Sequence, residues 1–148
     1  MDHTPTYDYR EVMKLSNQLC FPLYAAARKV TALYTPFLTE LNLTYTQYLV
    51  LLVLWEQDGI PVSEICRRLH LDNGTVSPLL KKLEKEGLLE KSRSPEDERV
   101  VLITLTDTGR ALQERAKEIP GKVGSCVRLT PVKALTLYQL LYELLDEE

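Results

Sequence analysis

The sequence has few of the features that stabilise an extracellular protein or carry one into a membrane. Its three cysteines, Cys20, Cys66 and Cys126, are odd in number and form no C-x-x-C pair, which favours reduced thiols in a cytosol over a disulfide framework. The longest apolar run, residues 49–55, has seven residues where roughly 18 are needed to span a bilayer, and residues 1–10 are polar. We therefore expect a cytoplasmic protein with no membrane association.

A net positive charge is also lacking. The chain has 18 Lys and Arg against 21 Asp and Glu, so its net charge is −3 and it is no polybasic coat for nucleic acid. Any nucleic-acid site must therefore be local. At 148 residues the chain is about one average domain, and we expect a single domain over residues 1–148.

Glycine and proline are scarce, at 6 and 8 residues, and apolar residues recur every three or four positions, which predicts a mainly helical fold. The spacing predicts a long amphipathic first helix over about 9–41, broken or bent at Pro22 and Pro36. Thr44 and Gln47 have the pattern of a capping box, which starts a second helix. This helix is apolar on nearly all sides through residue 55, so we expect it in the core.

Two further helices follow at short spacing. Pro61 suits the first turn of a third helix, which ends near residue 70, and residues 71–74 make a tight connection. The fourth helix is expected to begin near Gly74 or Thr75, or to be kinked at Pro78 if Asp72 is its cap. Residue 87, a glycine, ends it.

Residues 88–93 and 99–105 are β-prone runs joined by a charged segment, and they predict a hairpin. Helix, tight turn, helix and hairpin make a winged helix-turn-helix, so the expected fold is mainly α with a small β-hairpin wing. In this arrangement the second helix enters the major groove, and the hairpin reaches the neighbouring backbone or minor groove.

The C-terminal region is again helical. Thr106 caps a fifth helix to about residue 119, and a last helix over 130–145 follows the pair Pro120-Gly121. The last helix has a wider apolar stripe than one lightly covered helix needs. We expect residues 44–105 to form the DNA-binding part, and residues 9–41 and 106–146 to form dimerisation helices.

The fourth helix lies in a locally basic region. Residues 67–93 contain seven cations and four anions, a net charge of +3 within an acidic chain. Thr75 and Ser77 are candidates to donate to phosphates or base edges. The following three lysines are candidate phosphate contacts: Lys81, Lys82 and Lys85. The alternative is an ordinary solvated helix face, which often carries lysines.

Residues 69–84, which read LHLDNGTVSPLLKKLE, together with Asp97-Glu98-Arg99 resemble the MarR-type transcriptional regulators, in which an Asp-x-Arg pair marks the wing. The resemblance covers essentially the whole chain and departs little from the family, although Asn73 stands where a serine is expected. It implies that Arg99 or its neighbour Arg93 inserts into a minor groove, and that Asp97 braces Arg99. It also implies an obligate homodimer on a pseudo-palindromic operator of double-stranded DNA.

Cys20 is a candidate reactive thiol, although a buried helix cysteine is by default a small packing residue. Pro22 cannot donate to the carbonyl of Gln18, so the backbone near Cys20 resembles a helix N-terminus, where a thiolate is favoured. Tyr24 lies one turn away. Tyr34 would lie about 21 Å along a straight helix and would reach Cys20 only across a two-fold axis.

Residues 18–21, with Tyr24, Tyr34 and residues 43–49, are similar to the organic hydroperoxide resistance branch of that family. The resemblance implies a repressor that releases DNA when Cys20, its peroxidatic thiol, is oxidised. It also implies that Tyr24 and Tyr34 of the other subunit hydrogen-bond to Cys20. In some members a small thiol traps the oxidised cysteine, and in others a resolving cysteine does so. Cys126 lies in about the right region to be the resolving one.

Other interpretations remain open from the residues alone. Cys66 and His70 are spaced to share a metal ion, but no further ligands follow, so we expect structural burial of Cys66 and neither metal nor cofactor. A thiol peroxidase is the enzymatic alternative, although neither His3 nor His70 shows a pairing with Cys20. A regulator that binds a small aromatic acid, with an inert Cys20, is another. A protein-binding adaptor is the third.

Overall fold

The structure is a computed structural model that describes residues 8–145, in two compact units with their boundary between Lys117 and Glu118. The helices and strands of the first unit are α1 (Tyr9–Val12), a 3₁₀ turn (Leu15–Asn17), α2 (Cys20–Ala32), α3 (Thr35–Glu40), α4 (Tyr45–Glu56), β1 (Ile60–Pro61), α5 (Val62–Leu69), α6 (Asn73–Lys85), β2 (Leu89–Arg93), β3 (Val101–Leu105) and α7 (Asp107–Ala116). The second unit contains α8 (Ile119–Cys126) and α9 (Pro131–Leu145). The expected last dimerisation residue, Asp146, and His3 lie outside the described residues.

The N-terminal region forms several short helices, so the expectation of one long helix over 9–41 was wrong, although breaks do fall just before Pro22 and Pro36. Helix α2 begins at Cys20 and α3 at Thr35, which places Pro22 and Pro36 in first turns. A proline in the first turn removes an N–H that has no partner within the helix, so it is tolerated there. The two prolines therefore mark helix starts rather than bends.

Helix α4 is the centre of the first unit. Its capping box is confirmed: the backbone N–H of Gln47 donates to Thr44 Oγ1 at 3.3 Å, and that of Thr44 to Gln47 Oε1 at 2.9 Å. Both bonds satisfy polar groups that burial would otherwise leave unpaired, since Gln47 is buried. Val50 and Leu51 are completely buried, which agrees with the all-round apolar sequence.

The turn between α5 and α6 is closed by its own residues. His70 adopts a left-handed conformation with φ of 51° at the end of α5, and Asp72 caps α6 through its Oδ1, which accepts from the Thr75 N–H at 2.7 Å. Helix α6 therefore starts at Asn73, ahead of the start expected at Gly74 or Thr75, and Pro78 lies inside it. The Asp72 cap was the alternative that the sequence had left open.

The wing is a three-stranded antiparallel sheet with the order β1-β3-β2. The expected hairpin is present, with Leu89 opposite Leu105 and Arg93 opposite Val101. Strand β1 was not expected, because it has only two residues and its pairing, Ile60 with Ile103, joins distant parts of the sequence. Ile60 and Ile103 are both buried, so β1 closes the core beneath the hairpin.

The carboxylate of Asp58 joins three segments at the base of the wing. Its Oδ1 accepts from the backbone N–H groups of Gly59 and Leu105, each at 2.8 Å, and its Oδ2 accepts from Arg110 Nη2 at 3.0 Å. Nearby, the indole N–H of Trp55 donates to the carbonyl of Gly109 at 3.0 Å. These bonds fix the end of β3 and the start of α7 against the end of α4.

The region after α7 differs from the expectation. The fifth helix ends at Ala116, and a separate helix, α8, begins at Ile119. Pro120 lies in the first turn of α8, where proline is favoured, so the pair Pro120-Gly121 starts a helix and does not end one. Cys126 is the last residue of this helix.

Gly109 is the most restricted glycine of the described chain. A Cβ atom there would overlap the main-chain carbonyl oxygen of Leu88 and lie 3.2 Å from a methyl group of Leu105. We expect Gly109→Ala to lower the free energy of unfolding by about 1–3 kcal/mol or more, because backbone must move to accept the methyl group. Urea denaturation measures the change. Gly121→Ala is the control, because nothing lies within 4 Å of its Cβ position in α8. It should be neutral or stabilise by up to about 1 kcal/mol.

Among residues 8–145, no single helix is both long and apolar enough to cross a membrane. Within the same residues, the stretches 20–40 and 45–56 have the length and composition of a membrane span only when taken together, and the two are bent by 78° relative to each other.

Candidate nucleic-acid interface and redox cysteine

Helix α6 has one buried and one exposed side. Val76, Leu80 and Leu83 are at most 1% exposed and fix the helix in the first unit. The residues that the sequence nominated for DNA contact are all on the exposed surface: Thr75, Ser77, Lys81, Lys82 and Lys85. The arrangement follows from helical spacing, since the apolar positions recur at threes and fours and leave the lysines on the other side.

The two hydroxyl groups at the start of α6 are already oriented. Thr75 Oγ1 donates to Asp72 Oδ2 at 3.2 Å, and Ser77 Oγ donates to Asn73 Oδ1 at 3.1 Å. Each hydroxyl oxygen keeps lone pairs that can accept from a base amino group. The start of α6 can therefore present acceptors, while the lysines further along it present charge.

The wing tip holds Arg99 in a fork. Arg99 Nε donates to Asp97 Oδ1 at 3.0 Å and its Nη2 to Asp97 Oδ2 at 3.1 Å, while the backbone N–H of Arg99 also donates to Oδ1. The Arg99 side chain is nevertheless 90% exposed. Asp97 thus holds the guanidinium in an outward direction while the side chain stays exposed. The Nη1 group of Arg99 takes part in neither side-chain bond and can donate to an acceptor such as DNA.

The charge state of this pair is secure at neutral pH. The hydrogen bonds from the Arg99 side chain and backbone lower the pKa of the Asp97 carboxyl below its ordinary value. A group whose pKa is lowered by folding contributes its stabilisation above its unfolded pKa and loses it as the pH falls through the folded value. The fork is therefore fully formed at neutral pH, and its stabilisation is lost only as the pH falls through a folded pKa that lies below the ordinary aspartate value.

Arg93, the second candidate for the minor groove, lies at the end of β2. Its Nη1 donates to the carbonyl of Glu98 at 3.2 Å, across the turn that joins the two strands. The backbone N–H of Ser94 donates to the Val100 carbonyl at 2.9 Å and closes the same turn. Arg93 therefore braces the tip, and it remains an exposed side chain.

A pocket of about 420 Å³ lies between the start of α5, the start of α6 and the wing. Its polar lining comes from Ser63, Asn73, Ser77, Lys91 and Arg99. Sequence reasoning nominated only Ser77 and Arg99 of these five. The fold brings Ser63 and Lys91 next to α6. The one sequence signal concerned Lys91, which the alternation of β2 places on the same face as buried Leu89.

Cys20 lies at the first position of α2 and is exposed. The residue before it, Leu19, makes no side-chain capping bond, and Pro22 has no N–H. The expected helix N-terminus near Cys20 is therefore present. Sequence reasoning had treated a buried packing role as the default for this cysteine, and within one chain the thiol is exposed.

The two candidate tyrosines lie in different surroundings. Tyr24 is 60% exposed, and its hydroxyl accepts from Arg28 Nη1 at 3.2 Å. Tyr34 packs against Tyr45, with ring centroids 4.9 Å apart, and against Tyr48 at 5.8 Å. Burial and the neighbouring Tyr34 raise the pKa of both Tyr45 and Tyr48, so these phenols stay protonated. Within the described part of one chain, neither candidate tyrosine hydrogen-bonds to Cys20.

The other thiols differ in exposure. Cys66 is partly buried, as expected, whereas Cys126 is exposed and its Sγ lies 3.4 Å from the carbonyl of Lys122. Burial, and secondarily the charge of Asp72, raise the pKa of the Cys66 thiol. No group of three or more metal-ligating side chains occurs among residues 8–145.

We expect Cys66 to be the slowest of the three thiols to react with iodoacetamide at neutral pH. The thiolate is the nucleophile, and Cys66 is both less accessible and more fully protonated than a free cysteine. Time-resolved alkylation followed by peptide mass spectrometry measures the three rates. Unfolding in urea serves as the control and should remove the difference; faster labelling of Cys66 than of Cys20 in the folded protein would contradict the expectation.

Comparison with known proteins bears on the whole chain. Residues 32–116 match the family of transcriptional regulator SarA/Rot. The organic hydroperoxide resistance transcriptional regulator of Bacillus subtilis (strain 168) is 47% identical over 90% of this chain and 91% of its own. Two solved structures of AbfR, from Staphylococcus epidermidis, are also similar. Overoxidized AbfR bound to DNA has 36% identity and a TM-score of 0.75 over 94% of this chain and 98% of its own. Disulfide-formed AbfR has 38% identity and a TM-score of 0.64 over 93% of this chain and 97% of its own.

A helix-turn-helix followed by a sheet with a charged tip defines a winged-helix transcriptional regulator, and the expected fold class is confirmed. The chain belongs to the MarR-type transcriptional regulators, in the organic hydroperoxide resistance branch that the Bacillus protein represents.

Proposed function

We propose that this regulator is a cytoplasmic homodimeric repressor that binds a pseudo-palindromic operator and releases it when an organic hydroperoxide oxidises Cys20. The observation that carries the proposal is the similarity of nearly the whole chain to an organic hydroperoxide resistance regulator. In this proposal residues 44–105 bind DNA, and residues 9–41 and 106–146 form the dimer.

The DNA-binding role is supported by the geometry of α6 and the wing. Helix α6 enters the major groove with Thr75 and Ser77 at base edges and with Lys81, Lys82 and Lys85 at phosphates. Arg99, held by Asp97, enters the adjacent minor groove, with Arg93 beside it. AbfR, which has 36% identity to this chain, is described bound to DNA.

The dimer is supported by the apolar residues that one chain leaves in water. All the exposed large apolar residues of the described chain lie at position 30 or before, or at position 129 or after. In α9 the exposed residues include Leu135, Tyr138 and Leu144, each more than half exposed. Isolated helices of this length are marginal in water, so such faces are stable only when a partner covers them. A second copy of the chain supplies that partner, and symmetric pairing is the common solution.

The chemistry begins at the exposed Cys20 thiolate. Its sulfur attacks an oxygen of the hydroperoxide, so that an S–O bond forms and the O–O bond breaks; the hydroperoxide proton passes to the leaving alkoxide to give an alcohol, and the sulfenate takes up a proton from water to give the sulfenic acid. Tyr24 and Tyr34 of the partner subunit donate hydrogen bonds to this sulfur or its oxygen. A second thiol then displaces water from the sulfenic acid and forms a disulfide. This thiol is Cys126 of the partner subunit or a small cellular thiol.

Fluorescence anisotropy on the DNA upstream of the gene tests the proposal. The reduced protein is titrated first, one equivalent of cumene hydroperoxide is added next, and dithiothreitol is added last. One equivalent limits oxidation to the reversible stage. Loss of binding followed by recovery with dithiothreitol is expected. Tight binding that peroxide does not change would indicate a MarR-type regulator of another signal, such as a small aromatic acid. Absence of binding would favour the adaptor or peroxidase interpretations.

A further inference from the structure

The pocket between α5, α6 and the wing is lined by two cations, Lys91 and Arg99, and by no acidic residue of the described chain. Each cation is paired with a carboxylate that does not line the pocket, Glu84 for Lys91 and Asp97 for Arg99. The other polar lining groups are the hydroxyls of Ser63 and Ser77 and the amide of Asn73. Since the protein as a whole is acidic, this concentration of cations and neutral donors favours an anionic ligand.

The size and position of the pocket define the kind of anion. Its wall is built from the first residues of α6 and from the wing strands, which are the two elements placed against DNA above. Asn73 Oδ1 is occupied by the Ser77 hydroxyl, so the amide nitrogen of Asn73 is the atom that can donate to a ligand. Hydroxyl, amide and ammonium donors from separate segments suit the several oxygens of a phosphate.

We propose that this pocket seats one phosphate of the DNA backbone in each half-site, with Lys91 supplying the charge and Ser63 and Asn73 supplying hydrogen bonds. The inference rests on the proposed function. It assigns to DNA binding three further residues: Asn73 at the start of α6, and Ser63 and Lys91, which lie on α5 and β2.

The position of Lys91 also allows two roles to be distinguished: binding a phosphate through its charge, and holding the wing against α6. In the protein without DNA, Lys91 Nζ lies 3.4 Å from Glu84 Oε2 of α6. If Lys91 only holds the wing against α6, removing either partner weakens DNA binding equally. If Lys91 binds a phosphate, removing Glu84 leaves the cation in place and removes a nearby negative charge.

The experiment is a salt titration of DNA affinity for the wild type, Lys91→Gln and Glu84→Gln, with folding checked by circular dichroism. The logarithm of affinity falls with the logarithm of salt by about 0.9 for each phosphate neutralised. For Lys91→Gln we expect a slope smaller by about 0.9 per half-site and an affinity at least about tenfold weaker. Glu84→Gln should bind as tightly as the wild type or more tightly.

A second pair of variants tests the pocket without changing charge. Ser63→Ala should weaken binding about tenfold, because a hydrogen bond to a charged oxygen is lost. Ser92→Ala is its control, because Ser92 follows Lys91 on β2 and faces the opposite side of the hairpin. It should not change affinity.

The outcomes distinguish this inference from the proposed function. A wild-type slope for Lys91→Gln, or equal losses for Lys91→Gln and Glu84→Gln, would overturn the inference and leave DNA binding itself intact. A wild type without affinity for DNA would overturn both. Inorganic phosphate at constant ionic strength probes the same pocket. Because both kinds of phosphate would use Lys91, phosphate should compete with DNA for the wild type and compete less for Lys91→Gln; competition that Lys91→Gln leaves unchanged would count against a phosphate site in this pocket.

Discussion

Cys20→Ser should bind operator DNA as the reduced wild type does and should no longer release it when an organic hydroperoxide is added. Cys20 is exposed at the start of α2, so the loss of its sulfur is expected to change affinity in the reduced state by no more than about twofold. The serine hydroxyl cannot attack the peroxide under these conditions. Anisotropy titrations with and without one equivalent of cumene hydroperoxide measure both quantities.

The size of the lost response follows from linkage. A typical coupling of about 1–3 kcal/mol weakens binding by about 5- to 150-fold, and a change from nearly full occupancy to nearly full release needs about 5.5 kcal/mol. The wild type should show at least the first of these effects, and Cys20→Ser should show none. Two recognition helices that must reach half-sites one helical turn apart tolerate little displacement, so a modest movement of the dimer helices is sufficient.

Two further variants complete this experiment: one is its control, and the other shows which thiol traps the sulfenic acid. Cys66→Ala should keep the full response, because its sulfur is partly buried and takes no part in the proposed chemistry. Cys126→Ser should keep the response if a small thiol traps the sulfenic acid, and lose it if Cys126 is the resolving residue. Release of DNA by peroxide from Cys20→Ser would show that the sensor is another residue.

Arg99→Ala should weaken binding of the reduced protein to its operator by about 1–3 kcal/mol per half-site, which corresponds to about 5- to 150-fold. The side chain is exposed, so the loss belongs to the contact with DNA and the stability of the fold should be unchanged. Anisotropy under reducing conditions measures the affinity. Asp97→Asn keeps the guanidinium and removes the fork that directs it, so a smaller loss is expected.

Arg67→Ala is the matched control for this prediction. Arg67 is also an exposed arginine in a two-bond contact with an acid, Glu64, but it lies on α5 and outside the wing. Its removal should change affinity by far less than the removal of Arg99. Equal losses for both variants would mean that overall charge, and not insertion of the wing into the minor groove, accounts for the effect.

Local sequence patterns predicted the elements whose signals are local. The capping box of Thr44 and Gln47 lies within four residues, and Thr106 caps α7 through the N–H of Gly109 at 3.1 Å. The hairpin needed only two β-prone runs and a short polar segment between them. The contact of Asp97 with Arg99 is also local, since the two are two residues apart, but it was expected from the resemblance to the MarR-type regulators and not from the local pattern.

The features that the sequence did not reveal depend on distant pairings. Strand β1 exists because Ile60 pairs with Ile103, and two residues have no periodicity of their own. Nothing local to Asp58 shows that its carboxylate accepts from the N–H of Leu105 in a distant strand. Lys91 contributed to a charge count, but its place in the pocket beside α6 follows from the pairing and twist of the hairpin. The effect of a proline depends on its position in the helix: in the first turn it is tolerated, and further along it breaks or bends the helix. The sequence did not show that these prolines lie in first turns.

The Asp58 junction has a consequence for exchanging parts between regulators. Residues 44–105 contain the DNA-binding segment. A chimaera that joins this segment to the sensing helices of another regulator would therefore be designed with its junction after Leu105. Such a cut discards Arg110, which donates to Asp58, and Gly109, whose carbonyl accepts from Trp55. The transplanted segment would then carry an Asp58 carboxylate without its arginine partner and a Trp55 indole N–H without its acceptor. The transferable unit is therefore longer than the DNA-binding segment and extends at least through the first turn of α7.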